Sequence, residues 1–246
     1  MTALLLESGF KLSHYPQPES LGRAPVVAVD FRVRQFRGGP PDRRGATVHL
    51  TTFAMQALAD FRSVGAVAPS SRYLTQAMVD PLPLRRAQVV VELGCGTGVV
   101  TRQLLNAMPR RSTLLAFEIN PRFSRYLQEK LPDPRLVVIT TSAENIREEV
   151  HRRGFQHVDA VASSLALTLM PDQLKHDILR ESAGVLRPGG VFTQYLYLHG
   201  IQWQGGRPGL FAGGRMLRRH FSDVAHTIVW PNLPPALVYA CRSALK

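Results

Sequence analysis

Three glycines at alternate positions, Gly94, Gly96 and Gly98, stand between an apolar run and an amphipathic one in Val89-Val-Val-Glu92-Leu-Gly94-Cys95-Gly96-Thr97-Gly98-Val-Val-Thr101. The stretch reads as strand, tight turn and helix start. Glycine lets the backbone turn sharply and lets a ligand approach without meeting a Cβ, while unpaired N–H groups of the first helical turn face the same space. A nucleotide phosphate loop is excluded, because no Gly-Lys-Ser/Thr follows. The dinucleotide fingerprint fits poorly too, since counting G-x-G-x-x-G from Gly94 puts Val99 where a third small residue belongs. The spacing is a different one, with an acid, Glu92, two residues before the first glycine.

Around this turn, apolar runs at 88–93, 113–118, 135–140, 157–163 and 190–198 alternate with helical stretches near 98–108, 121–131, 143–153 and 171–187. That alternation predicts an α/β fold with a doubly wound parallel sheet. Two β-rich runs, 223–230 and 235–242, follow without a long helix between them. The 246 residues suit one α/β domain with extensions. Residues 1–45, rich in Pro, Gly and Arg, read as a poorly ordered extension. Residues 46–86 read as a helical lid or membrane-facing segment, and 87–246 as the ligand-binding domain. In that middle segment Leu50, Phe53, Ala54, Ala57, Leu58 and Phe61 fall on one helical face. A second helix is expected after Pro69-Ser70-Ser71, with a serine as N-cap, ending near Val79 where Pro81 and Pro83 stop it.

Thirty Lys and Arg against eighteen Asp and Glu give a net charge of +12. This excludes an acidic disordered chain and points to a polyanionic partner, either nucleic acid or an anionic membrane face. Twenty-six of the thirty are Arg, a skew that GC-rich coding also produces, and the dense clusters are few: Arg32/Arg34/Arg37, Arg43/Arg44, Arg85/Arg86, Arg110/Arg111, Arg152/Arg153 and Arg215/Arg218/Arg219. Two cysteines, Cys95 and Cys241, supply neither a disulfide framework nor a zinc knuckle, and no cluster has metal-ligand spacing, so no metal is expected. No apolar run reaches the roughly 18 residues of a membrane span, and the first residues lack a basic n-region. The expected place is therefore the cytoplasm, with any membrane association peripheral and on the inner face of the cytoplasmic membrane.

The E-x-G-x-G-x-G arrangement resembles motif I of the class I S-adenosylmethionine-dependent methyltransferases. The resemblance implies their Rossmann-like fold, a mostly parallel seven-stranded sheet with helices on both faces, here with an N-terminal helical lid. It also implies S-adenosylmethionine as cofactor and S-adenosylhomocysteine as product. In that family Gly94, Cys95, Gly96, Thr97 and Gly98 would back the methionine part, and Glu92 would organise the loop and the cofactor's amino group. Glu118, beside Ile119 at the end of the second strand, would accept both ribose hydroxyls. Ser142, Ala143 and Glu144 would border the adenine, with Ser142 where an Asp is common. Leu186-Arg-Pro-Gly-Gly190 matches the family's turn into the fifth strand.

The substrate has to be sought outside this core. Base-amino methyltransferases carry Asn or Asp followed by Pro-Pro or a Pro-aromatic pair after the fourth strand, to pin a flipped base. Here that place reads Asp159-Ala-Val-Ala-Ser163-Ser164-Leu165-Ala166-Leu167, which makes nucleic acid the less expected partner. Three segments together resemble bacterial phospholipid N-methyltransferases: Gly65-Ala-Val-Ala-Pro69-Ser70-Ser71-Arg72, then Ser163-Ser164-Leu165, and Trp230-Pro-Asn232-Leu-Pro234-Pro235-Ala-Leu-Val-Tyr239. Ala166 departs from that family's usual proline. The resemblance implies methylation of the amine headgroup of phosphatidylethanolamine towards phosphatidylcholine, at an anionic membrane surface. Candidates to guide the amine are Tyr195, Ser163 and Asn232, then Tyr197, His199 and Tyr73; Ser70 is a helix cap and a candidate cofactor contact. The rival readings are an rRNA adenine or small-molecule amine methyltransferase, and a non-catalytic cofactor-binding protein at the membrane.

Overall fold

The computed structural model describes residues 72–197, 201–204, 207–210, 213–232 and 235–244. The strands are β1 (Val89–Leu93), β2 (Thr113–Phe117), β3 (Leu136–Ile139), β4 (Val158–Ser163), β5 (Leu186–Tyr197), β6 (Ile201–Gln204), β7 (Arg207–Leu210), β8 (Asp223–Val229) and β9 (Ala236–Arg242). The helices are α1 (Arg72–Val79), α2 (Val99–Ala107), α3 (Pro121–Lys130), α4 (Ile146–Arg152), α5 (Asp172–Val185) and α6 (Gly213–Leu217). Seven strands form one sheet in the order β3-β2-β1-β4-β5-β9-β8, and β6 pairs with β7 in a separate hairpin. The first five run parallel, and β9 is antiparallel to both β5 and β8. The order reverses between β1 and β4, so ligands are expected at the carboxyl ends of those strands.

Strand parity sorts the core into two layers. Val90, Leu114, Ala160, Ala162, Val191 and Val238 pack with Leu74 and Met78 of α1 and with Val100 and Leu104 of α2. On the same face Leu127 of α3 meets Ala116 and Cys95. Val91, Leu115, Val161 and Phe192 point the other way, to Ile146 and Val150 of α4, Ile178 and Leu179 of α5, and Leu217 of α6. Helices thus cover both faces, as right-handed crossovers require. The central strands are apolar throughout because both their faces are buried, and β1 is buried at every position.

α1 occupies the place expected for the second helix of the lid, but Leu74 and Met78 are fully buried, so this part belongs to the core. β5 starts at Leu186 rather than 190: Val158 pairs with Leu186 and Ala160 with Val191, and the surplus residues loop out with Gly189 at φ +70°. The helix expected over 143–153 divides into a 3-10 turn, Ala143–Asn145, and α4. Neither the β6–β7 hairpin nor α6 was anticipated. The expected extension at 1–45, the amphipathic stretch 47–62, Ser70 and His199 lie outside the described residues.

At the end of the sheet away from the glycine turn, Asp159 joins three strands. Its Oδ2 accepts from the N–H groups of Gln88 and Val89 at 2.7 and 3.1 Å, and its Oδ1 accepts from Arg187 Nε at 2.7 Å. Replacing Asp159 by Ala removes the acceptor from two backbone donors and is expected to cost about 1–3 kcal/mol, read as a lower urea midpoint with unchanged slope. Arg187→Ala, at a half-exposed guanidinium, should cost less.

Candidate cofactor site

The turn after β1 holds Gly94, Gly96 and Gly98 at φ +77°, +49° and +81°. A Cβ on Gly98 would stand 2.4 Å from Leu127 Cδ1, so glycine is required there by close approach as well as by φ. A Cβ on Gly96 would meet nothing within 4 Å, which marks open space on that side of the turn. Gly94 N–H and Cys95 N–H donate to Phe117 O at 2.9 and 3.2 Å, and Gly98 N–H donates to Cys95 O at 2.9 Å. The turn therefore hangs from the end of β2, and α2 starts at Val99 directly beyond it.

Two carboxylates flank it. Glu118, almost fully buried, accepts from Gly96 N–H through Oε2 and from Asn120 N–H through Oε1, both at 2.9 Å. Asn120 in turn caps α3, its Oδ1 accepting from Arg122 N–H at 3.0 Å, with Pro121 at the first helical position. Glu92 is fully buried, and neither of its oxygens has a hydrogen-bond partner. Burial pushes its carboxyl up to about 8, and the charge of Glu118 adds to the rise. Thr101, on the first turn of α2, pulls the other way, yet its hydroxyl is itself buried without a completed hydrogen bond. Burial also pushes the Cys95 thiol well above its usual range, so this cysteine stays a neutral wall of the turn.

The other expected cofactor contacts fall near the same end of the sheet. Thr97 is exposed on the turn and Ile119 half-buried beside Glu118. Ser142 precedes the 3-10 turn after β3, with Ala143 buried and Glu144 exposed. The expected acceptor-guiding residues do not form one cluster. Ser163 is buried on β4 and pairs in register with Gln194, on the face that carries Val161 and Phe192. Tyr195 lies on the opposite face of β5, stacked edge-on with Tyr197 at 5.2 Å and packed on the α1 side. Asn232 is buried in the β8–β9 turn, its N–H donating to Val229 O at 3.4 Å. Tyr73, at the start of α1, is exposed.

One contributor escaped the sequence reading. Gln194 is fully buried, and its Nε2 donates to Leu165 O at 2.9 Å and Tyr195 O at 2.7 Å. Leu165 Cδ2 is the atom nearest to a Cβ built on Gly94, at 3.0 Å, and Ser164 N–H donates to Leu93 O at 2.9 Å. Gln194 therefore fastens the connection after β4 against the glycine turn. The only signal in sequence was one amide inside an apolar strand. Among the described residues no group of three or more His, Cys, Asp or Glu could hold a metal ion.

A family model described as a methyltransferase domain matches residues 90–190. Over 181 residues the chain is 30% identical to the ornithine lipid N-methyltransferase of Singulisphaera acidiphila, covering 73% of this chain and 88% of that one. A shorter match, 32% identical over 90 residues, joins 37% of this chain to 28% of the ribosomal RNA small subunit methyltransferase H of Aromatoleum aromaticum. Among solved structures, the 1,6-didemethyltoxoflavin-N1-methyltransferase of Burkholderia thailandensis, bound to 1,6-didemethyltoxoflavin and S-adenosylhomocysteine, superposes with a TM-score of 0.61 at 17% identity, over 85% of this chain and 93% of that one. The chain belongs to the class I S-adenosylmethionine-dependent methyltransferases, and S-adenosylmethionine is its cofactor. Within that class it resembles the lipid N-methyltransferases.

Two outcomes are expected here. Unfolded Glu92 ionises near 4.5 and folded Glu92 near 8, so between those values the unfolded chain binds fewer protons and stability of the cofactor-free protein falls as pH rises. Glu92→Gln should flatten that fall, seen as thermal midpoints that no longer drop between pH 5 and 8, while weakening cofactor binding measured by calorimetry. Gln194→Leu, which keeps the volume and removes the donor to Leu165, should lower kcat more than it lowers cofactor affinity; equal affinity and equal kcat would show that the connection after β4 holds itself.

Proposed function

We propose that this methyltransferase transfers methyl groups from S-adenosylmethionine to the amine headgroup of a membrane lipid, with phosphatidylethanolamine as the first acceptor to test. The observation that carries the reading is the extent of the likeness to the ornithine lipid N-methyltransferase. Its 181 residues outrun the 90–190 core and reach the flanking segments, which choose a substrate. That relative also favours a second acceptor, an ornithine lipid, over any nucleic acid. The enzyme would work from the inner face of the cytoplasmic membrane as a peripheral protein, drawn there by its net charge of +12.

The residues at the end of β1 fit the cofactor. Glu92 offers a buried carboxyl without a partner that would ionise opposite the cofactor's ammonium group. Glu118 has spent one lone pair of each oxygen on backbone N–H groups and keeps others for the two ribose hydroxyls. Gly94, Cys95, Thr97 and Gly98, with open space beside Gly96, would hold the methionine part. Ile119, Ser142, Ala143 and Glu144 would border the adenine.

When bound, the cofactor supplies an electrophilic sulfonium methyl group. The chain's part is to align a neutral amine with it and to exclude water. The amine must have shed its proton before attack, so no strong base is needed, and the described residues at this end offer hydrogen-bond acceptors instead. Burial raises the Tyr197 phenol above its usual range, with Tyr195 pulling part of the way back, so Tyr197 is neutral near pH 7 and takes part through its oxygen lone pairs. Of the candidates, Tyr195 and Asn232 would be the ones to guide the amine nitrogen, and Ser163, on the other face, would shape the wall after β4.

The test supplies labelled methyl donor in parallel to vesicles with phosphatidylethanolamine, vesicles with ornithine lipid, and total RNA, then separates lipid from RNA. Label in phosphatidylethanolamine supports the narrow reading, and label in ornithine lipid alone moves the acceptor to that class. Label confined to RNA, or absent from all three, overturns the proposal.

A further inference from the structure

We propose that the protein seats on an anionic lipid bilayer through a rim of exposed apolar side chains around the cofactor end of the sheet, with Trp230 and Tyr73 as its anchors. This rests on the lipid reading above and adds the surface that meets the membrane. Among the described residues the exposed large apolar side chains are Tyr73, Tyr126, Leu169, Ile228 and Trp230, and Trp230 is 66% exposed. Scattered apolar side chains on a surface need no explanation, whereas a shared location does.

Four of these, Tyr73, Leu169, Ile228 and Trp230, share one end of the fold. Leu169 closes the 3-10 turn after β4, four residues beyond the Leu165 that abuts Gly94. Ile228 and Trp230 flank Val229, the last residue of β8, which pairs with Ala236, itself paired with Tyr197 at the end of β5. Tyr73 lies in the first turn of α1, next to Leu74, which is buried in the same cluster as Val229 and Ala236. Tyr126 lies midway along α3, away from this end. Strand ends, a connection and the start of α1 thus bring the four to the side where lipid would enter.

Their chemistry fits a bilayer surface. Tyr and Trp pair an apolar body with a polar tip and collect at the level of lipid headgroups. The charges beside them match an anionic surface: the Arg72 guanidinium lies 4.8 Å from the centre of the Tyr73 ring and donates to its hydroxyl at 2.9 Å. Arg122 and Arg125 are exposed on the first turns of α3. Arg72, Arg122 and Arg125 join none of the ion pairs among the described residues. Asp172, exposed at the start of α5, is held by Lys175 at 2.6 Å.

The chain has two tryptophans, Trp203 and Trp230, so Trp203→Phe leaves Trp230 as the sole reporter. On vesicles of phosphatidylglycerol and bromine-labelled phosphatidylcholine, Trp230 emission should shift to the blue and be quenched. Trp230→Ala in the natural chain should lower the vesicle partition coefficient about tenfold while cofactor affinity is kept as the check on folding. Arg122→Glu with Arg125→Glu should weaken binding to anionic vesicles and leave neutral ones unaffected. The surface is overturned if the protein fails to sediment with anionic vesicles, if Trp230 escapes quenching while the protein sediments, or if Trp230→Ala and Tyr73→Ala both bind like the parent. Lipid methylation in detergent micelles with an unquenched Trp230 on vesicles overturns this surface and leaves the lipid reading standing. Quenched Trp230 with no lipid methylated does the reverse.

Discussion

The carboxylate of Glu118 ties a strand end, a glycine turn and a helix start together. Through Gly96 N–H it holds the turn after β1, and through Asn120 N–H it holds the residue that caps α3. The turn's glycines adopt positive φ without strain, and the Phe117 carbonyl anchors the turn from β2, accepting from Gly94 and Cys95 N–H. Burying one carboxylate in this way has a consequence for its neighbour. Glu92 lies fully buried on the adjacent strand with no partner, and the charge on Glu118 adds to the burial that keeps it protonated towards pH 8. The site thus pairs one carboxyl group held by backbone donors with a second, buried one that has no such donors.

Much of this is legible in the amino-acid sequence alone. Strands buried on both faces read as continuous apolar runs, so β1 to β4 and the two late strands stand within a residue or two of where the periodicity put them. The glycine turn was legible for a different reason, namely that its work is done by main chain and its letters record allowed φ. What failed was structure with weak local signal. The strands of the β6–β7 hairpin include Pro208 and Gly209, which demote a run to non-strand. The short helix α6 opens on two glycines, the poorest helix formers after proline. The outward loop of Arg187 to Gly190 within β5 depends on which residue pairs with Val158, and pairing is not written in one strand alone.

The acceptor side was the least legible part, for the same reason. Ser163 and Tyr195 each looked plausible by position after a strand, yet register sets them on opposite faces of the sheet. Parity within a strand is visible in sequence, but which parity faces which helix layer is known only once β4 and β5 are aligned. Gln194 shows the converse case. A lone amide among apolar neighbours looks like a tolerated polar residue until the partner strand shows Leu165 O within its reach. Its Oε1 remains buried without a partner, as does Ser164 Oγ on the connection it fastens. Buried polar groups left open are costly, and here they stand by the strand ends next to the glycine turn.

Net charge alone cannot orient such an enzyme on a membrane. Arg85/Arg86 precede β1 and Arg110/Arg111 precede β2, so these two clusters stand at the end of the sheet opposite the glycine turn. Arg152 and Arg153, at the end of α4, are already engaged by Glu148 and Glu149. A field of this shape attracts the protein to an anionic surface within a Debye length of about 8–10 Å but offers that surface either end. Apolar burial is short-ranged and rewards only the end that carries the apolar groups. On the lipid reading, charge brings the molecule to the membrane and the aromatic rim at the ends of β8 and α1 decides which way up it lands. The cofactor turn then faces the headgroups and the basic clusters before β1 and β2 face away.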